Sequence, residues 1–362
     1  MPRLTNLDAL RGVAVLLMIE QHVGIWMWRG PGPDETFSDY SFLVYFNALG
    51  GFGGPLFFLL AGAGAAFIAG RNDTASDLRL FKRGVLVMLL GYAMNFVAPS
   101  WFSWGSWFAL HIMGFGIAMS FVWRRMSDRS LVLFVIVNML AAPLMQAWLQ
   151  TPDDLFLDDL RDTSKPGGVF RLAFVEGQYP LFPWLSIIVL GFLCGRWIDH
   201  PRRILAVGIM LTIVGVLSYA TFLLVEPERP DALYFATRIK LGIFPPSLSL
   251  VCLMSGPAFV LAFVAVVLSP KWSLADDHPL VTVGRASLTI FFVHVPLFRE
   301  LSRPLDLWSN LGVAASLGVV FGFIALSLVL SRAWQRVGYR YGAEWMLRRL
   351  GDSRWPRDRR GS

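Results

Sequence analysis

Cysteine and charge are both scarce in this chain. Only 2 of its 362 residues are cysteine and 16% are charged. Cys194 and Cys252 each fall inside an apolar run, which argues against a disulfide framework or a cysteine metal site and leaves two small buried hydrophobes. A soluble domain carries about 25% charged residues; with 55% hydrophobic residues, this chain excludes a water-exposed globule of ordinary surface. No glycine-rich phosphate loop, zinc-ligand pair or nucleophile elbow occurs in a convincing context. Any chemistry must therefore be assembled from separate segments, without a metal. Internal repeats are also lacking, which counts against the duplicated halves common among transporters.

What is abundant is apolar length. A helix needs about 20 apolar residues to cross a bilayer core, and ten segments qualify, roughly 8–28, 44–69, 80–98, 104–123, 130–149, 181–198, 203–225, 247–268, 280–298 and 311–330. The second is interrupted by Gly50-Gly51-Phe52-Gly53-Gly54-Pro55. The expected fold is all-α, a polytopic membrane helix bundle in the cell membrane with about ten transmembrane helices. Lys and Arg crowd alternate connections, among them Arg3, Arg71, Arg79, Lys82, Arg83, Arg124, Arg125, Arg129, Arg202 and Arg203. By the positive-inside bias both termini are expected in the cytoplasm.

Two domains are expected, a transmembrane domain over 1–330 and a basic amphipathic cytoplasmic tail over 331–362. That tail interleaves Trp334, Tyr339, Tyr341, Trp345 and Trp355 with nine arginines. Such a segment suits an inner membrane surface and anionic lipid, with no nucleic acid involved. The longest outer connection, 150–180, is acidic at first and then aromatic, and is either a solvated loop or an acceptor-binding element.

An ionisable group at membrane depth costs about 2.5–3.5 kcal/mol or more, so each one is a functional candidate. In the first span, "LDALRGVAVLLMIEQHVGIW" at 7–26, Arg11 and His22 stand eleven residues apart. At 100° and 1.5 Å per residue they share a helix face, separated by about 16 Å. Asp8, Arg11, Val15, Met18 and His22 form the stripe, while Glu20 points away from His22. His111 and His294 are expected at a similar depth on other spans, and an imidazole with an unperturbed pKa near 6.5 exchanges protons at neutral pH. On the ninth span Gly284, Ser287, Phe291 and His294 share a stripe, with Arg285 nearly opposite. Ala61, Ala65 and Ala69 repeat every four residues, a small-residue face for helix packing.

"LDALRGVAVLLMIEQH" resembles the transmembrane acyltransferase superfamily, whose first span carries an Arg, ten residues and a His. "GGPLFFLLAGAGAAF", "FALHIMGFG", "YPLFPWLSIIVLGFLCGRW" and "VGRASLTIFFVHVPL" resemble, more narrowly, the heparan-alpha-glucosaminide N-acetyltransferase family and its bacterial relatives. The resemblance implies transfer of an acetyl group from cytoplasmic acetyl-CoA to a hydroxyl or amine of an extracytoplasmic saccharide or glycan acceptor. It implies His22 at the transfer centre and Arg11 on the CoA side. The lysosomal members carry their histidine slightly later, and "VGIWMWRGPGPD" has none. The expected catalytic residues are His22, His294 and His111; Arg11, Arg79, Lys82 and Arg83 are expected to hold acyl-CoA phosphates. The alternative is a proton-coupled transporter with the same histidines as a relay.

Overall fold

The computed structural model describes residues 4–70, 74–225 and 241–351. Arg3, Arg71 and the tail beyond Gly351 lie outside the described residues. Within them the chain is helical, with no strand and only one isolated bridge, between Trp28 and Leu311. The helices are α1 (Thr5–Met27), α2 (Ser41–Leu49), α3 (Gly53–Ala69), α4 (Thr74–Val97), α5 (Ala109–Trp123), α6 (Asp128–Trp148), α7 (Gly168–Arg171), α8 (Leu181–Arg196) and α9 (Pro201–Val225). They continue as α10 (Leu248–Leu268), α11 (Pro279–Arg285), α12 (Ser287–Pro296), α13 (Val313–Gln335) and α14 (Ala343–Gly351).

Among the described residues, seven helices are long and apolar enough to cross a bilayer, or up to nine if each of two bent pairs is one span. The chain is a multi-pass membrane protein. Each expected segment coincides with a helix or a bent pair, but α5 begins only at Ala109 and is shorter than a full span. The glycine-rich interruption in the second segment is a single 3₁₀ turn, Gly50–Phe52, that joins α2 to α3. Helix starts follow ordinary capping chemistry: Ser127 and Ser247 accept the N–H groups of Ser130 and Leu250, both at 3.1 Å.

Helices α9 and α13 turn most of their apolar surface outward, with Leu224 83% and Val329 67% exposed. That arrangement suits lipid, where an apolar surface carries no penalty. Helix α1 is central, with Ala14, Val15, Ile19 and Val23 fully buried between its neighbours.

Glycines set the closest approaches. A Cβ on Gly12 would stand 2.1 Å from the Leu280 carbonyl oxygen, and one on Gly284 would stand 1.9 Å from that of Asp8, so α1 and α11 cross backbone on backbone. A Cβ on Gly62 would stand 2.0 Å from the Ile188 oxygen, which makes this residue the contact point of α3 with α8. Of the Ala61, Ala65 and Ala69 stripe, Ala65 and Ala69 are buried in the core, and Ala61 and Ala65 also line a cavity.

Gly284→Val should therefore force α1 and α11 apart at a cost of about 1–3 kcal/mol or more, seen as a lower thermal unfolding midpoint in detergent. Gly318→Val, where no atom lies within 4 Å of the added Cβ, should leave the midpoint unchanged.

Candidate active site

A cavity of about 1200 Å³ runs along α1 and is lined at different points by both Arg11 and His22. The stripe read from the helical period is thus one wall of a continuous space.

At one end α12 brings His294 against His22, with His22 Nδ1 and His294 Nε2 2.9 Å apart and the rings nearly parallel at 6°. His294 Nδ1 lies 3.1 Å from the carbonyl oxygen of Ile290, one turn earlier. A carbonyl only accepts, so Nδ1 of His294 carries the proton and a neutral His294 offers the lone pair of Nε2. His22 then donates from Nδ1, and its Nε2 is left with a bare lone pair. The Ile290 carbonyl thereby fixes two tautomers in sequence, an assignment that follows from the bonding pattern.

Trp26 stacks on a face of His22 at 4.9 Å and 12°. Trp26 meets Trp101 edge-on at 5.0 Å and Trp308 at 6.2 Å. Above these indoles sits the buried guanidinium of Arg299, 4.4 Å from the Trp101 ring centre and 4.1 Å from that of Trp308. Cation–π attraction of about 2 kcal/mol is reached when such a pair is desolvated. Arg299 also donates from Nε to Ser100 Oγ at 3.0 Å, and Glu300 accepts the Ser100 N–H at 3.0 Å, which ties the Trp101 loop to the end of the His294 segment.

Gln178 and Tyr179, at the end of the long connection over 150–180, line the same cavity. Gln178 donates its backbone N–H to the Trp107 carbonyl at 3.0 Å, and Trp107 Nε1 donates to the Tyr179 carbonyl at 3.1 Å. The connection is ordered by a buried fork: Arg171 donates through Nε and Nη2 to the two Glu176 oxygens, each at 2.6 Å, and Thr151 donates to Glu176 Oε1 at 2.6 Å. Further out, the hydrogen bond from Lys165 at 2.9 Å holds the Asp159 carboxyl below the usual carboxylate range.

The other end is basic. Arg11, Arg79, Arg83, Arg285 and Arg348 all reach the lining. Asp8 bridges two of them, 3.5 Å from Arg11 Nη1 and 3.1 Å from Arg285 Nε, and Arg11 Nη2 also donates to the Leu60 carbonyl at 3.3 Å. Lys82 is not part of the lining.

His111 is not brought to the His22–His294 pair. It is fully buried between Tyr92, Trp107 and Phe108, accepts the Phe108 N–H at 3.2 Å through Nδ1, and lies outside the cavity wall. Glu20, 4% exposed, faces the backbone of the Gly50 turn. Arg285, expected nearly opposite the stripe of Gly284, Ser287, Phe291 and His294, lines the cavity with Gly284, Ser287 and Phe291, while His294 is fully buried behind His22; the segment is not one helix but bends by 72° between α11 and α12. The helical wheel ends at that bend. Trp26 was findable as the residue one turn beyond His22; Trp101, Trp308 and Arg299 carry no local signal that joins them.

The sequence matches two families. Residues 3–226 match heparan-alpha-glucosaminide N-acetyltransferase, catalytic. Residues 198–353 match a family of unknown function, DUF418. No curated protein matches.

The tautomer assignment is open to ¹⁵N-histidine NMR at neutral pH: Nδ1 of His294 and Nδ1 of His22 should resonate as protonated nitrogens and Nε2 of His22 as a bare one. Protonated Nε2 on His22 would break the assignment.

Proposed function

The chain belongs to the heparan-alpha-glucosaminide N-acetyltransferase catalytic family, and from that premise we propose that it moves an acetyl group from acetyl-CoA to a hydroxyl or amine of a glycan-type acceptor on the opposite side of the membrane. The coarse class is an acyltransferase-type membrane enzyme. The donor, the acceptor and the residue roles are our reading.

One observation carries it. His22, its tautomer fixed by buried His294, lines one end of a cavity whose other end is lined by arginines, about 16 Å away along α1. Arginine suits phosphate oxygens through paired N–H donors. The excess of basic residues in that end's connections supports a cytoplasmic location for it. An extended pantetheine arm spans a distance of this order, so a thioester anchored by its phosphates at the arginines would present its carbonyl near His22. Gln178 and Tyr179 would meet the acceptor there.

In the reaction, His22 Nε2 takes the proton of the acceptor hydroxyl or amine as the acceptor atom bonds to the thioester carbonyl carbon. The resulting imidazolium stays hydrogen-bonded through Nδ1–H to neutral His294. The tetrahedral intermediate then collapses, the C–S bond breaks, and the thiolate leaves with the proton returned from His22 Nε2. An acetyl-imidazole on His22 is the variant route.

His22→Ala is expected to lower kcat for acetyl transfer by about 10²–10⁴-fold, the usual contribution of a general base, in preparations that keep the unaltered thermal midpoint. His294→Ala should cost less, since the base remains and only its orientation is lost. Undiminished CoA release by His22→Ala ends this reading. Labelled acetyl-CoA given without acceptor separates the routes: protein that stays unlabelled fits direct transfer, and stable label that depends on His22 fits the acetyl-imidazole.

A further inference from the structure

Helix α12, which carries His294, begins without a cap of its own. Ala286 occupies the N-cap position with φ −105° and ψ 7°, and its methyl group accepts nothing. The N–H groups of the first turn are met instead by Glu344 of α14. Its Oε1 accepts from Leu288 N–H at 2.6 Å and Thr289 N–H at 3.1 Å, and its Oε2 accepts from the Thr289 hydroxyl at 2.5 Å. In return Thr289 Oγ1 accepts the Ala343 N–H at 2.8 Å. A carboxylate here both satisfies orphan donors and meets the positive end of the helix dipole. The approach requires Gly342, since a Cβ there would stand 2.8 Å from Thr289 Oγ1 and 2.5 Å from the Trp334 ring. The preceding turn is pinned by buried Tyr339, which donates its hydroxyl to the Thr282 carbonyl at 3.3 Å.

This clamp lays α14 along the arginine end of the cavity. Arg348, four residues after Glu344 and so on the same helix face, reaches the lining there with Arg79 and Arg83. The basic tail is therefore not only a surface anchor; its first helix is docked on the bundle through a specific acid. It also lies within the segment matched by the family of unknown function, beyond the segment matched by the acetyltransferase family.

We propose that α14 is a built part of the donor site, held on α12 by Glu344 so that Arg348 joins Arg79 and Arg83 in binding the phosphorylated nucleotide end of a coenzyme A thioester. The proposal rests on the reading that this cavity takes such a donor. The ligand chemistry is a cluster of phosphate oxygens, which an anionic lipid headgroup also presents.

The test is equilibrium binding of CoA, and of pantetheine, which lacks the nucleotide, to the full-length protein in nanodiscs of phosphatidylcholine, repeated with phosphatidylglycerol included. Arg348→Ala should weaken CoA about tenfold in both lipids and leave pantetheine where it was. Arg349→Ala, the next residue on a helix face that does not line the cavity, should leave CoA affinity unchanged. Glu344→Ala should reproduce the Arg348 loss by releasing the clamp, and Arg348→Lys should restore part of the affinity.

Unchanged CoA affinity in Arg348→Ala would overturn the proposal. So would an equal loss for CoA and pantetheine, or a change seen only as lost association with phosphatidylglycerol, which would make α14 a lipid anchor. Arg348-dependent CoA binding by a protein that transfers no acetyl group would support this proposal and sink the acyltransferase reading. Acetyl transfer by Arg348→Ala with undiminished CoA affinity would do the reverse.

Discussion

The crossing of α1 and α11 through Gly12 and Gly284 is the constraint on which the site depends. Two backbones in contact leave no space for slippage, so the residues beside the crossing are fixed in register. Asp8 thereby meets Arg285, and the bend that follows Arg285 aims α12 so that His294 is hydrogen-bonded to His22. Neither the ion pair nor the histidine pair holds the helices at this distance. Both result from it.

The same crossing explains how so many polar groups are tolerated among membrane helices. Lipid leaves a buried ionisable group with nothing to pair with, whereas a protein-lined cavity supplies partners and water. Arg11 has Asp8 and the Leu60 carbonyl, Arg299 has Ser100 and three indoles, and Glu176 has Arg171 and Thr151. Glu20 stands apart, enclosed by the backbone of the Gly50 turn. The sites of exposed apolar surface, α9 and α13, carry no such groups at their centres.

The two family matches meet on one cavity. His22, Arg11, Arg79 and Arg83 come from the acetyltransferase match; Arg285, Glu344 and Arg348 come from the match of unknown function, as does His294, which is buried behind the wall against His22. The second segment is not an appendage, because it supplies the imidazole that orients the first and the helix that closes the basic end.

Hydropathy and the positions of intramembrane charge were legible in the sequence, since crossing a bilayer demands about 20 apolar residues whatever the fold. The shared face of Arg11 and His22 was legible too, because a single unbroken helix preserves its 3.6-residue period. That period fails at Ala286, where the helix bends, and so the wheel could not tell that Arg285 lines the cavity beside Gly284 and Ser287. Which of the other histidines would meet His22 was never a local property. His111 packs among Tyr92, Trp107 and Phe108, because the contact between α4 and α5 turns it there. The chain alone determined that this is a membrane bundle with a charged stripe in its first helix, for those are consequences of composition and helical geometry. Only the packing of helices distant in sequence decided that the stripe faces a cavity, that His294 backs His22 and that Glu344 docks the tail, because each depends on contacts between residues far apart along the chain.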